Sequence, residues 1–239
     1  MTPGFKPKQM RPYRVPEAFQ SDVDRQIQEL LDLGLIVPSL SSMASPIVCV
    51  AKKDGGVRIA VDYRYVNKFT VGDAFPMPTI QETIRSLGGT KYISTFDAKS
   101  GYHQLEVQEE HAPLTAFVTH KGLYEWIRMP FGLRNAEASF CRAVQSVLRP
   151  INDFCASYVD DMGVGSFEWC QHLNHLRQFL DVMRSAAFTL SLKKCEFAKP
   201  TVTFVGHIIG SGRQDRDPSR IADLLKVEEP KNKRDVRNF

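Results

Sequence analysis

Asp97, Asp160 and Asp161 are the side chains of this sequence best suited to chemistry. Asp97 closes a run of apolar and small residues, Tyr92-Ile93-Ser94-Thr95-Phe96, and Asp160-Asp161 follow Tyr158-Val159 inside a hairpin pattern. Aspartates at the ends of neighbouring strands can come together, and a cation best relieves the repulsion between clustered carboxylates. Mg²⁺ prefers carboxylate and phosphate oxygens. Two such ions about 3.5–4 Å apart can stabilise the attacking and leaving oxygens of a phosphoryl transfer. An aspartate pair alone is common in turns and need do nothing more. Asp97, on a strand of similar character, moves the reading towards a metal site. The pattern predicts that the carboxylates of Asp97 and Asp160 face each other across neighbouring strands, with Asp161 beside them.

The elements that must position these residues follow from periodicity and punctuation. Ser21 reads as an N-cap for a helix carrying Val23, Ile27, Leu30 and Leu31, which Gly34 stops. Ile47 to Ala51 and Val57 to Asp62 read as a hairpin about Asp54-Gly55-Gly56. Thr79 and Glu82 form a capping box ahead of Ile80, Ile84 and Leu87, and Gly88-Gly89 ends that helix. A strand follows over Tyr92 to Asp97, then a hairpin of Leu114–Thr119 and Leu123–Met129. Asn135 reads as the cap of a helix closed by Pro150. Phe154 to Ser166 is the aspartate hairpin, and a long helix bears Leu173, Leu176, Phe179, Leu180 and Met183. Leu190 to Phe197 and Thr201 to Ile209 read as strands, and Asp217-Pro218 opens a last helix. In the middle of the chain, strand, helix, hairpin and helix match a split βαβ arrangement, an antiparallel sheet backed by helices. The basic hairpin near the N-terminus should project as a subdomain.

The 239 residues are 43% hydrophobic and 24% charged, ordinary for a folded chain of one large or two small domains. No run of about 18 apolar residues exists to span a membrane as a helix. Met1 to Pro16 is basic and proline-rich without a signal-type apolar core, so a cytoplasmic location is expected over secretion. The five cysteines have no paired spacing and read as reduced, mostly buried thiols. A net charge of +4 is compatible with a polyanionic partner without demanding one. Lys52, Lys53, Arg58, Arg64 and Lys68 crowd one stretch, which alone reads as a solvated hairpin. Cys170, His172 and His175 raise a zinc reading, but they fall on the polar side of the long helix pattern and lack a fourth ligand.

Tyr158-Val159-Asp160-Asp161 resembles the signature tetrad of reverse transcriptases, and its flanks agree. Ser45-Pro46-Ile47-Val48, Lys52-Lys53-Asp54-Gly55, Val61-Asp62-Tyr63-Arg64 and Asn67-Lys68 are similar to the fingers of gypsy-type long-terminal-repeat retrotransposons. Phe96-Asp97-Ala98-Lys99-Ser100-Gly101-Tyr102-His103-Gln104 resembles that family's first catalytic block. Met129-Pro130-Phe131-Gly132-Leu133, Lys194-Cys195-Glu196-Phe197 and Phe204-Val205-Gly206-His207 follow in family order. Ala98-Lys99 and Val159 depart from its commoner choices without removing a carboxylate.

The resemblance implies an α+β right-hand polymerase with a ferredoxin-like palm. Residues 1–90 would be mainly fingers, 91–210 mainly palm with a fingers insertion, and 211–239 a partial thumb. It implies that Asp97, Asp160 and Asp161 hold two Mg²⁺ ions, for which Mn²⁺ can substitute. Lys52 or Lys53, together with Arg58, would meet the incoming triphosphate, where cations neutralise developing charge. Tyr102 would lie under the sugar and Phe131 beside the nucleotide, and Phe204, Val205, Gly206 and His207 would steady the primer end. As strand residues, Tyr102 and the Phe204 segment also read simply as core. The implied partners are an RNA or DNA template with its primer, dNTPs, and the ribonuclease H and integrase regions of a longer polyprotein, from which this chain reads as cut. The location implied is cytoplasmic, including virus-like particles. The expected activity is RNA-directed DNA synthesis. Its rivals are a transposon-derived fragment that binds nucleic acid or a partner without polymerising, and a different palm-type transferase such as a cyclase.

Overall fold

The computed structural model describes residues 1–51 and 56–216. Along the chain run α1 (Glu17–Asp32), β1 (Ile36–Pro38), β2 (Ser45–Ala51), β3 (Val57–Val61), α2 (Arg64–Phe69), α3 (Ile80–Gly88), β4 (Tyr92–Asp97), β5 (Phe117–Val118) and β6 (Leu123–Trp126). There follow α4 (Ala136–Leu148), β7 (Cys155–Tyr158), β8 (Asp161–Ser166), α5 (Trp169–Ser185), β9 (Glu196–Lys199), β10 (Val202–Phe204), β11 (His207–Gly210) and β12 (Arg213–Arg216). Lys52, Lys53 and the Asp54-Gly55 half of the first hairpin turn lie outside the described residues, as does the helix expected from Asp217.

The chain divides into two units, Met1–Met77 with Lys99–Val144, and Pro78–Ala98 with the chain from Gln145 onward. In the first, a sheet of order β1-β6-β5-β2-β3 packs against α1. Val23 and Ile27 of α1 join Ile36, Ile47, Val57, Phe117 and Trp126 in one core. The helix begins at Glu17 rather than at the expected cap Ser21, because Phe19 also packs on that core and extends the apolar stripe by a turn. Its C-terminus is a Schellman motif. Gly34, at φ +62, donates its N–H to the Leu31 carbonyl, and Leu35 donates to that of Leu30, each at 2.9 Å.

In the second unit, β7-β8-β4-β9 form an antiparallel sheet. The connectivity β4–α4–β7–β8–α5–β9 with this strand order is the split βαβ arrangement expected from the sequence. Helix α3 carries the expected capping box: Thr79 Oγ1 accepts from the Glu82 N–H at 3.2 Å, and Glu82 accepts from the Thr79 N–H at 3.0 Å. Its residues Ile84 and Leu87 close a core with Ile93, Val202, Phe204 and Ile209. The run Thr201–Ile209, expected as one strand, is folded into β10 and β11 about Val205 and Gly206, both at positive φ (48° and 74°), as a type I′ turn requires.

Candidate active site

The aspartate hairpin is set by strand register. Tyr158 pairs with Asp161, which leaves Val159-Asp160 as a two-residue turn. Of these two, Val159 alone has positive φ (54°), the sign pattern of a type II′ turn. A β-branched residue is strained there, and such strain persists where the surroundings over-determine it. On its other side β8 pairs with β4, and Asp97 lies opposite Asp161. Directly paired residues of antiparallel strands project from the same face. Asp161, and not Asp160 as expected, is therefore the cross-strand partner of Asp97. The tight turn puts Asp160 at its exposed tip, and the Ala98 N–H ties that tip to the end of β4 by donating to the Asp160 carbonyl at 3.3 Å.

Three acids thus meet at one sheet end. Burial pushes the Asp161 carboxyl above its ordinary range; the Asp160 and Asp97 charges add to that, and Lys194 opposes it. The Lys194 ammonium donates to both oxygens of Asp97, at 2.9 and 3.1 Å. Asp97, Asp161 and Lys194 line a 230 Å³ pocket with Thr95, Phe96, Glu196, Thr203 and Phe204, and Asp160 lies outside that lining. The all-oxygen donor set and its excess negative charge suit a hard divalent cation. Among the described residues, however, no three His, Cys, Asp or Glu side chains are already gathered as a metal centre. Among the described residues, the cation that pairs with these acids is Lys194.

The two faces of β8 explain why the register holds. On one face Gly163 and Gly165 let α3 lie directly on the strand. A Cβ on Gly163 would overlap Leu87, and one on Gly165 would come within 2.8 Å of Thr90 Oγ1. On the other face Met162 and Val164 are fully buried, and Phe96 of β4 stacks on Phe179 of α5 with centroids 4.3 Å apart. His172, expected on the polar side of α5, is fully buried, because its two ring nitrogens have partners inside: Ser94 Oγ at 2.8 Å and Ser166 Oγ at 2.9 Å. His175 Nδ1 lies 2.9 Å from the same Ser166 hydroxyl, and its ring stacks on Phe154. One assignment satisfies the set: His175 Nδ1–H donates to Ser166, Ser166 donates to His172 Nδ1, and His172 Nε2–H donates to Ser94. Ser94 also accepts the Ala198 N–H at 2.9 Å, so β4, β8, β9 and α5 are bound together. With Cys170 exposed and both histidines engaged by hydroxyls, the trio is structural rather than a zinc site. The pattern Ser94…Ser166…His172…His175 gave no sequence signal, since each residue alone is ordinary.

The described residues expected at the nucleotide, Arg58, Tyr102 and Phe131, belong to the first unit. Arg58 is exposed on β3, paired with Val50. Arg64 binds Asp62 through two nitrogens at 2.8 and 2.6 Å, so its charge is spent inside the chain, unlike a phosphate-facing arginine. Tyr102 lies in a 3₁₀ turn, Gly101–Gln104, rather than in a strand, with its ring 4.9 Å from that of Phe131. Phe131 is 57% exposed. The loop that carries it is held by a residue quoted above only as a family match. Asn67 donates to the Gly132 carbonyl and accepts from the Arg134 N–H, each at 2.8 Å. Asn135 stands at the start of α4 as expected, its carbonyl accepting the Ser139 N–H at 2.9 Å, but its side chain does not serve the helix. Its amide donates to Val71 and accepts from Asp73, which fixes the 71–73 segment instead. In the second unit, Phe204 is buried, while Val205 and Gly206 form the β10–β11 turn that leads into His207.

Sheet topology and carboxylate hairpin together define a palm-type nucleic-acid polymerase fold. Residues 50–209 match the family model described as Reverse transcriptase (RNA-dependent DNA polymerase), and the chain belongs to that family. It is 36% identical over 233 residues to the Pol polyprotein of transposon 297 of Drosophila melanogaster, a match covering 95% of this chain and 22% of the relative. To the transposon gypsy Pol polyprotein of the same organism it is 34% identical, over 98% of this chain and 23% of that one. The chain therefore spans less than a quarter of these relatives, which are gypsy-type retrotransposon polyproteins as the motifs implied. Among solved structures, the foamy viral protease-reverse transcriptase in complex with double-stranded DNA superposes with a TM-score of 0.88 at 26% identity, over 98% of this chain and 41% of that one. The same viral protein in complex with an RNA/DNA hybrid gives 0.88 at 25% identity, over 98% and 32%. Reverse transcriptases as a family use divalent metal ions.

Proposed function

We propose that this chain is the fingers and palm of an RNA-directed DNA polymerase, and that it adds deoxynucleotides to a primer 3′-hydroxyl along an RNA or DNA template. The observation that carries this reading is the cross-strand pair Asp97–Asp161 with Asp160 at the adjoining turn. Asp97, Asp160 and Asp161 would hold two Mg²⁺ ions. Bound there, the ions would supply charge stabilisation at the attacking and leaving oxygens. Arg58, with Lys52 or Lys53, draws the triphosphate by charge; Tyr102 and Phe131 offer an aromatic surface to sugar and base. The hairpin at Phe204–His207 steadies the primer end. Ribonuclease H and integrase regions would lie elsewhere in the polyprotein. Five free cysteines support a reducing compartment such as the cytoplasm.

The test is primer extension on an RNA template with Mg²⁺, wild type against Asp160→Asn. Asn is nearly isosteric, and Asp160 is exposed, so the fold survives while one charge leaves the site. Extension is expected to fall about a thousandfold, the scale of losing several kcal/mol of transition-state stabilisation at about 1.4 kcal/mol per tenfold. Equal extension by both proteins would make the carboxylates structural and overturn the reading. Duplex binding by both without extension by either would favour a binding-only role.

A further inference from the structure

The pocket beside the aspartates holds a cation of the protein's own. Lys194 ends a short 3₁₀ turn, Leu192–Lys194, whose backbone is fastened to the end of β4. The Ser191 N–H donates to the Asp97 carbonyl at 2.8 Å, and Leu190 bridges to Ala98. This anchorage delivers the ammonium to Asp97 from the chain side, where it reaches both carboxylate oxygens at once, at 2.9 and 3.1 Å. Asp97 is mostly covered, with 17% of its side chain exposed, whereas Lys194 is 66% exposed. The acid is thus fixed and the base can leave for water with little packing to lose.

We infer that Lys194 is a built-in counter-ion that occupies Asp97 in the metal-free protein, and that a divalent ion must displace it to reach that carboxylate. The inference rests on the metal-site reading above. It accounts for one of the acids being engaged on both oxygens by an internal cation. A single positive charge close to Asp97 also repels any divalent ion approaching the same oxygens. The lysine thereby keeps the clustered carboxylates quiet before metal arrives, and it weakens metal binding by the strength of one exposed ion pair. Because such pairs are weak, the barrier to exchange is low and the device is reversible.

The experiment measures Mn²⁺ binding to the 239-residue chain by electron paramagnetic resonance of the free ion. Wild type is compared with Lys194→Met, Lys194→Gln, Lys194→Arg, Asp97→Asn and the Asp97→Asn/Lys194→Met double variant. Lys194→Met and Lys194→Gln should each bind Mn²⁺ about two- to fivefold more tightly, the size an exposed ion pair supports. Both should melt lower than wild type without metal and gain more from its addition. Lys194→Arg should stay near wild type, and in the Asp97→Asn background Lys194→Met should tighten binding clearly less than it does in wild type. Unchanged or weaker binding by both neutral variants, or equal tightening without the Asp97 carboxylate, overturns the inference. If Asp97→Asn weakens Mn²⁺ binding yet the neutral variants do not tighten it, the metal site stands and only the role of Lys194 falls. If Asp97→Asn leaves wild-type binding unaltered, both fall.

Discussion

Two hairpins carry Asp160 and Asp161 on the one hand and Arg58 on the other, and they are built in opposite ways. The β7–β8 hairpin turns in two residues, is flanked by β4, and buries Met162 and Val164 completely beside its acids. The β2–β3 hairpin carries Arg58 on a ribbon whose side chains Val48 and Val50 are 37% and 51% exposed. The difference suits the roles proposed for each charge. A small hard cation demands its oxygens at fixed distances of about 2.0–2.1 Å, so the acids are set by buried register. A polyphosphate presents many oxygens, and a long cationic side chain can find them from a solvated strand. Precision is built into the backbone for the acids and left to the side chain for the cation.

That contrast breaks most readily at Gly163. The Gly163→Ala change puts a methyl into Leu87, which is itself almost fully buried. Overpacking of this kind costs about 1–3 kcal/mol, because helix or strand must shift. On the β2–β3 ribbon, Val50→Ala should stay within about 0.5 kcal/mol, as exposed sites do. Urea denaturation of the two variants measures both. Equal losses would mean that the two hairpins are constrained alike.

Some of this architecture was legible in the residues and some was not. The Thr79–Glu82 box, strand β4 and the aspartate hairpin were readable because each rests on local rules: a cap, an alternation, a turn of fixed length. The start of α1 was misplaced because Ser21 is a good cap in isolation, while the packing of Phe19 decides the matter from a distance. The partner of Asp97 was misassigned for a related reason. Cross-strand pairing depends on where a two-residue turn falls, and one step moves every side chain to the other face. Asn135 has the type of a cap, yet its side chain serves a segment some sixty positions away in sequence. The Ser94, Ser166, His172 and His175 network could not be read at all, since only folding brings these residues together.

That network gives the next sharpening of the contrast, because it locks the palm sheet to α5 and is sensitive to acid. Burial, and then the neighbouring His175, holds the His172 imidazole below its ordinary value. The unfolded chain therefore takes up the proton first. Stability is full above the unfolded value of about 6.5 and declines as pH falls from there towards the folded value. Between pH 7.5 and 5.5 the unfolding free energy should fall with a slope from this site of at most about 1.4 kcal/mol per pH unit. His172→Gln should flatten the slope. A slope unchanged in that variant would place the acid sensitivity elsewhere.

The smallest effect on the fold should come from Arg58, and it is the one that reads the fingers side of the comparison. Its side chain is exposed on the outward face of β3, so Arg58→Ala should alter unfolding free energy by no more than about 0.5 kcal/mol. Its effect on function should be larger and selective. A charge-assisted hydrogen bond to phosphate contributes about 1.5–3 kcal/mol, so removing it should raise the KM for dNTP roughly tenfold or more. Duplex affinity rests on other phosphate contacts, and its fall with added salt should keep nearly the same slope. The two quantities must be measured together, in steady-state primer extension and in duplex binding at several salt concentrations. A KM that stays put while the duplex slope drops by about one would move Arg58 from the nucleotide to the template–primer. A loss of stability comparable to that of Gly163→Ala would remove the contrast itself, because the cation would then be held by packing, as the acids are.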